Sequence, residues 1–194
     1  MDKQQKFRQT NAFALFDGLF FGIYCCVGLL GIVKGISSDT LSALGTMVTV
    51  SVPVLGCYFA HKFERQVRGD APVSYRRAYV YSFLIYFYAS LIMAVFAFVY
   101  FQWIDSGNFV QNYMTIYNSP EMQDALSETG MTQTIDAAVR QNGFESFEDA
   151  LKSIGPFDIA SSVLNVNFLA GLFLALPTAL FGKTRSRNIN FDNQ

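Results

Sequence analysis

Charge is scarce in this chain: 15% of its 194 residues are Asp, Glu, Lys or Arg, against about a quarter in an ordinary soluble domain. Histidine occurs once and cysteine three times. That excludes the CxxC and Cys/His spacings on which zinc and iron clusters depend. Cys25, Cys26 and Cys57 all fall inside apolar runs, where a thiol behaves as a small hydrophobe, so they read as packing residues. His61 has no Cys, Asp or Glu beside it; it makes a poor metal site and reads as an interface residue. Gly-rich phosphate loops, a GxSxG elbow, HExxH and a DxDxDG calcium loop are also missing. With no nucleophile, base or metal constellation in view, neither an enzyme nor a cofactor is expected.

Apolar sequence is plentiful, at 52% of residues, and its distribution decides the class. It is gathered into four runs, 12–33, 41–60, 78–104 and 159–182, each long enough to cross a hydrocarbon core of about 30 Å at about 1.5 Å per helical residue. The first carries one charge, Asp17, and the other three carry none. Pro53 interrupts the second run and predicts a kink there. The pattern predicts an all-α, polytopic membrane protein. Residues 1–104 and 159–194 form a four-helix transmembrane bundle, and 105–158 form an acidic helical insertion outside the cytoplasm.

Orientation follows from the basic residues. Eleven of the fourteen Lys and Arg lie in the N-terminal arm, the 61–77 connection (Lys62, Arg65, Arg68, Arg76, Arg77) and the tail (Lys183, Arg185, Arg187). The opposite side holds Lys34, Arg140 and Lys152 among ten carboxylates. Basic residues in short connections stay cytoplasmic, so both termini are expected inside and the insertion outside. Arg68-Gly69-Asp70, before Pro72, reads as a turn.

The run VSYRRAYVYSFLIYFYASLIMAVFAFVYFQWID, residues 73–105, sets Arg76 and Arg77 against a long aromatic stretch. Basic residues among aromatics can be a nucleic-acid surface. Here the pI is about 5.8 and the rings continue into lipid-length sequence, so nucleic acid is not an expected partner. Arg76 and Arg77 instead anchor the span among anionic headgroups, and Tyr100, Phe101 and Trp103 form an aromatic belt at its far end.

Those residues, with the acidic insertion and the closing GLFLALPTALFGK, resemble the domain-of-unknown-function family 4199, small four-helix membrane proteins abundant in Bacteroidota. The resemblance covers nearly the whole chain. It implies a bacterial inner (cytoplasmic) membrane location and brings no activity.

Small residues one turn apart, Gly18 and Gly22, Ser90 and Ala94, Gly171 and Ala175, predict close helix packing within the bundle, with self-association as the other use of such spacing. In the insertion, Ser119-Pro120-Glu121 opens a helix that Gly130 stops, and Ser146 caps another. That second helix sets Phe147, Ala150, Leu151 and Ile154 at i, i+3, i+4 and i+7, and Gly155-Pro156 ends it. Phe147, Leu151 and Ile154 are the expected apolar docking residues. The intramembrane polar candidates are Asp17, Asn165 and Asn167. Asp17 is expected to pin the first and third spans near Tyr81 and Ser82, with Arg76 or Arg77 as its ion-pair partner. The functional expectation is an envelope interaction or structural module that docks a partner through its outer helical loop, the expected associations being a protein partner or self-association. The alternative is a small transporter or channel component using those polar residues.

Overall fold

The computed structural model describes residues 2–69 and 72–184; Asp70, Arg185, Arg187 and Gln194 lie outside the described residues. Among the described residues there are eight α-helices and no strand: α1 Lys3–Gly35, α2 Asp39–Val67, α3 Tyr75–Val99, α4 Asn108–Tyr117, α5 Pro120–Glu128, α6 Met131–Gln141, α7 Phe147–Ser153 and α8 Pro156–Gly182. The fold is all-α, as the hydropathy pattern predicts. Four helices, α1, α2, α3 with its extension to Ile104, and α8, are long and apolar enough to cross a membrane. Large apolar side chains such as Val50, Val54, Val95 and Phe173 stand 65–71% exposed on them, which suits a hydrocarbon solvent and not water.

The helices run past the apolar stretches. α1 starts at Lys3, because residues 3–11 are mostly Lys, Gln and Arg, whose straight chains favour helix. α2 ends at Val67, where the stripe Ala60, Phe63, Glu64 and Val67 stays buried. Pro156 opens α8 as a first-turn proline, a role its missing N–H permits. The last turn of α3 continues as a π-turn over Tyr100–Ile104, with the Asp105 N–H donating to Tyr100 O at 2.9 Å. The wider turn separates the expected belt: Tyr100 is buried and Trp103 is 66% exposed.

The chain divides into two compact units. Unit 1 comprises Met1–Ile23, Ser51–Ser90 and Asn167–Gln194. Its interior is aromatic: the Phe63 and Tyr81 rings stack at 4.0 Å, and Phe21 meets Tyr86 edge-on at 5.4 Å. Glycine permits the close contacts, since a Cβ built on Gly18 would lie 2.7 Å from Tyr88 Cβ, and one on Gly171 2.7 Å from Tyr86 Cβ.

Unit 2 comprises Tyr24–Val50 and Leu91–Val166. Here α1 and α2 meet along Gly28, Gly31 and Gly35 on one side and Val48, Gly45 and Ser42 on the other. The insertion is four short helices packed on each other, α4 against α5 and α7, and α6 against α5 and α7. Ser119 and Ser146 accept the expected capping bonds from Met122 N–H and Asp149 N–H. Helix α4, which the spacing of apolar residues did not announce, is set by Asp105. Its Oδ2 accepts the Phe109 N–H at 3.0 Å, after the left-handed residues Ser106 (φ 50°) and Gly107 (φ 82°). The stripe of α7 docks on α4: Phe147 lies 4.7 Å from the Tyr117 ring and 6.3 Å from that of Tyr113. Phe147 and Leu151 are half-buried. Ile154 departs from the expected stripe. α7 ends at Ser153, and Ile154 is its extended C-cap, 46% exposed.

Placing Asp at both 147 and 151 is expected to unfold the insertion, because each carboxylate would sit among rings without a partner. Amide exchange over 119–155 should become fast in that variant and stay slow in the wild type. Uniformly fast exchange in the wild type would remove the docked arrangement.

Candidate functional site: a buried carboxylate between three helices

Asp17 is 1% exposed, and both of its oxygens are engaged from other helices. Lys62 of α2 donates from Nζ to Oδ1 at 2.7 Å, and Tyr81 of α3 donates from its hydroxyl to Oδ2 at 2.6 Å. The same hydroxyl lies 3.3 Å from Phe59 O, a weaker second acceptor. The Tyr81 ring is held flat on Phe63, which in turn packs edge-on against Phe13 at 5.9 Å. One acid therefore ties α1, α2 and α3 together. A charge-assisted bond in a dry interior is stronger than in water, but it also makes each partner costly to lose.

The expected pairing of Asp17 with Arg76 or Arg77 is corrected. Arg77 lies one turn before Tyr81 on the same face of α3, and its guanidinium reaches α1 two turns before Asp17. There Nη2 donates to Gln9 Oε1 at 2.6 Å and Nε to Thr10 Oγ1 at 3.1 Å. Arg76 is exposed. Lys62 supplies the countercharge because α2 stays helical beyond its apolar run and so carries Lys62 to the level of Asp17. Its side chain is 35% exposed, with an aliphatic stem inside and a head within reach of the surface.

A second buried acid went unread in the sequence. Glu64 is 2% exposed; it accepts from Arg68 Nε at 2.8 Å and from the Thr184 hydroxyl at 3.0 Å. Thr184 also takes the Val73 N–H on its hydroxyl at 2.9 Å and donates its own N–H to Val73 O at 2.9 Å. This network fastens the end of α2, the segment before α3 and the residues after α8. The available signal was the stripe Ala60, Phe63, Glu64 and Val67 at i, i+3, i+4 and i+7, which marks Glu64 as inward-facing.

The five basic residues expected at the membrane interface thus do different things. Lys62, Arg68 and Arg77 bond to groups within the unit, whereas Arg65 and Arg76 are exposed. Tyr86 shares a hydrogen bond with Thr178 at 3.2 Å, and Tyr88 donates to Asn11 Oδ1 at 2.7 Å. Ser82, expected beside Asp17, is fully buried on the α3 face that carries Ala78 and Tyr86, and its hydroxyl has no partner among the described residues. Asn165 is exposed and Asn167 half-buried. Two positions apart on a helix, they point to nearly opposite sides, so they do not form a polar pair.

A family model described as "Protein of unknown function (DUF4199)" matches residues 17–184, a range that opens on Asp17 and closes on Thr184. Neither the curated proteins nor the solved structures contain a significant match.

Proposed function

Because the chain belongs to the DUF4199 family of proteins of unknown function, we propose from its own residues that it is a non-enzymatic scaffold of the bacterial inner membrane. Its outer helical insertion docks a protein partner. Both termini and the basic 61–77 connection are cytoplasmic in this reading, next to anionic headgroups. What carries the reading is the use of polar side chains in unit 1. Asp17, Lys62, Tyr81, Glu64, Thr178 and Asn11 are engaged in bonds that join one helix to another or to Thr184 after α8, which is the behaviour of structural pins. Apolar side chains left open on the insertion, Met122 at 38% and Met131 at 53% exposure, suit a docking face, since methionine adapts to partner surfaces.

A photocrosslinking residue at Met122 or Met131 in cells should yield the same discrete protein adduct from both positions, and none from Gly69. Lipid adducts alone, or different adducts from the two positions, would remove the docking role. For topology, reporters fused at Gly69 and Gln194 should report cytoplasm and one at Gly130 the exterior. An outward Gln194 would invert the arrangement.

A small transporter or channel component is the second reading, favoured by a carboxylate buried inside a span-length helix. The scaffold predicts that Asp17→Asn leaves proton and cation flux in proteoliposomes at the wild-type level. A wild-type flux that the folded Asn variant abolishes would replace the scaffold with the transporter.

A further inference from the structure

Unit 1 contains a cavity of ≈ 690 Å³ where the first turns of α1 meet the start of α3. Lys3, Lys6, Arg76 and Arg77 line it together with Phe7 and Val80. We propose that this cavity is a discrete site for the phosphate headgroup of an anionic phospholipid, with the apolar wall taking the first part of an acyl chain.

Among the described residues, four cations line the cavity and no carboxylate does. Arg77 is already committed to Gln9 and Thr10, so it forms a fixed wall. Lys3, Lys6 and Arg76 are in no ion pair among the described residues. Elsewhere in unit 1, two cations that face a buried carboxylate are paired with it: Lys62 holds Asp17 and Arg68 holds Glu64. Three cations left around one concavity repel each other unless an anion joins them, and a phosphate oxygen set accepts from lysine and arginine donors at once.

The lining also separates a lipid from a free anion. Phe7, 56% exposed, and Val80 give the cavity an apolar side that inorganic phosphate would not use. An amphiphile fills both sides. The volume lies within the range of about 300–1,000 Å³ typical of small-molecule sites. The inference rests on the reading above in one respect: it takes this basic end of the helices to lie at a headgroup layer. It goes beyond that reading by replacing diffuse attraction with one bound molecule at named residues.

The test is native mass spectrometry of the full chain in detergent, with phosphatidylglycerol, phosphatidylcholine or inorganic phosphate added. Wild type should retain one phosphatidylglycerol, with phosphatidylcholine held at least about tenfold more weakly, since only the former carries net negative charge. Lys6→Gln with Arg76→Gln should lower phosphatidylglycerol retention by about tenfold or more. Arg8→Gln with Arg65→Gln, an equal loss of charge outside the cavity, should leave it unchanged. Should the first pair fail to fold, Lys3→Gln with Arg76→Gln takes its place, Lys3 being fully on the surface.

Equal retention by the cavity variant, or equal retention of phosphatidylcholine, would overturn the site. Displacement of the lipid by millimolar inorganic phosphate would assign the site to free phosphate and overturn the lipid. Detergent removes membrane orientation from the measurement, so a reversed topology in the reporter fusions and a failure of lipid retention are separate results.

Discussion

Replacing Gly31 with alanine is expected to remove most of the folded protein, although the change adds a single methyl group. A Cβ there would stand 2.6 Å from Gly45 Cα, 2.7 Å from Gly45 N and 3.1 Å from Leu41 O. All three are backbone atoms, which cannot rotate aside as a side chain can. The reverse substitution meets the same wall, since a Cβ on Gly45 would lie 2.5 Å from Ile32 N. The helices would have to part along the whole seam. That loosens Gly35 against Ser42 and Gly28 against Val48 as well, and the short connection between Gly35 and Asp39 leaves little slack. Between membrane helices no hydrophobic effect drives association, so close van der Waals contact carries the pairing. Overpacking of an interior costs about 1–3 kcal/mol, and more where backbone must move. We expect Gly31→Ala near the upper end of that range and Gly31→Val beyond it. Gly69 has nothing within 4 Å of a built Cβ, so Gly69→Ala should behave as wild type. Monodisperse yield and melting temperature in detergent measure both. A Gly31→Ala protein as stable as the Gly69→Ala control would show that the α1–α2 seam is not closely packed.

This seam was present in the sequence but was not the one the sequence reading chose. Gly28, Gly31 and Gly35 fall three and four residues apart on one face of α1, the same spacing rule that selected Gly18 and Gly22. Spacing identifies small faces; it does not say which partner each face meets. Gly18 and Gly171 do make close contacts, both against tyrosine side chains of α3, whereas along the α1–α2 seam Gly31 meets Gly45 and Gly35 meets Ser42 backbone to backbone.

The four long helices were legible because each apolar run exceeds the width of a bilayer, a length criterion that requires no partner information. Their ends were not. Hydropathy falls at the first charged residue, while helical hydrogen bonding continues as long as good helix formers follow, which is why α1 begins at Lys3 and α2 ends at Val67. The site depended on those ends. Lys62 and Glu64 lie past the hydropathy boundary, so a reading that stopped the second span at residue 60 left both in a connection. It then assigned the nearest arginines in the third span to Asp17. Tyr81 was placed correctly because it lies within its run. Helix α4 escaped for a different reason: its start is fixed by the Asp105 side chain and two left-handed residues, features of geometry that composition does not carry.

Lysine 62 is expected to matter more to folding than the acid it serves. Asp17 has a side chain 2% exposed, against 35% for Lys62, so the two halves of the pair have unequal alternatives when separated. In Asp17→Asn the ammonium of Lys62 can swing toward the surface, and the new amide oxygen can still accept from Tyr81. The expected cost is the difference between a charge-assisted and a neutral bond, about 1–2 kcal/mol. In Lys62→Met the carboxylate stays where it is, with no route to solvent and only the Tyr81 hydroxyl to hold it. Removing one partner of a buried ion pair in this way costs about 3–5 kcal/mol, because the remaining charge is left uncompensated. Tyr81→Phe removes one donor, leaves the ring stacked on Phe63, and should fall near the Asn variant. The double variant Asp17→Leu with Lys62→Met removes both charges and should recover most of what Lys62→Met loses, as apolar replacements of buried pairs commonly do. Thermal unfolding of the wild type, Asp17→Leu, Lys62→Met and the double variant in one detergent forms a cycle whose coupling between positions 17 and 62 should reach about 2 kcal/mol or more. If Asp17→Asn proves as damaging as Lys62→Met, or the double variant is worse than either single one, the pair is not the pin that holds α1 against α2.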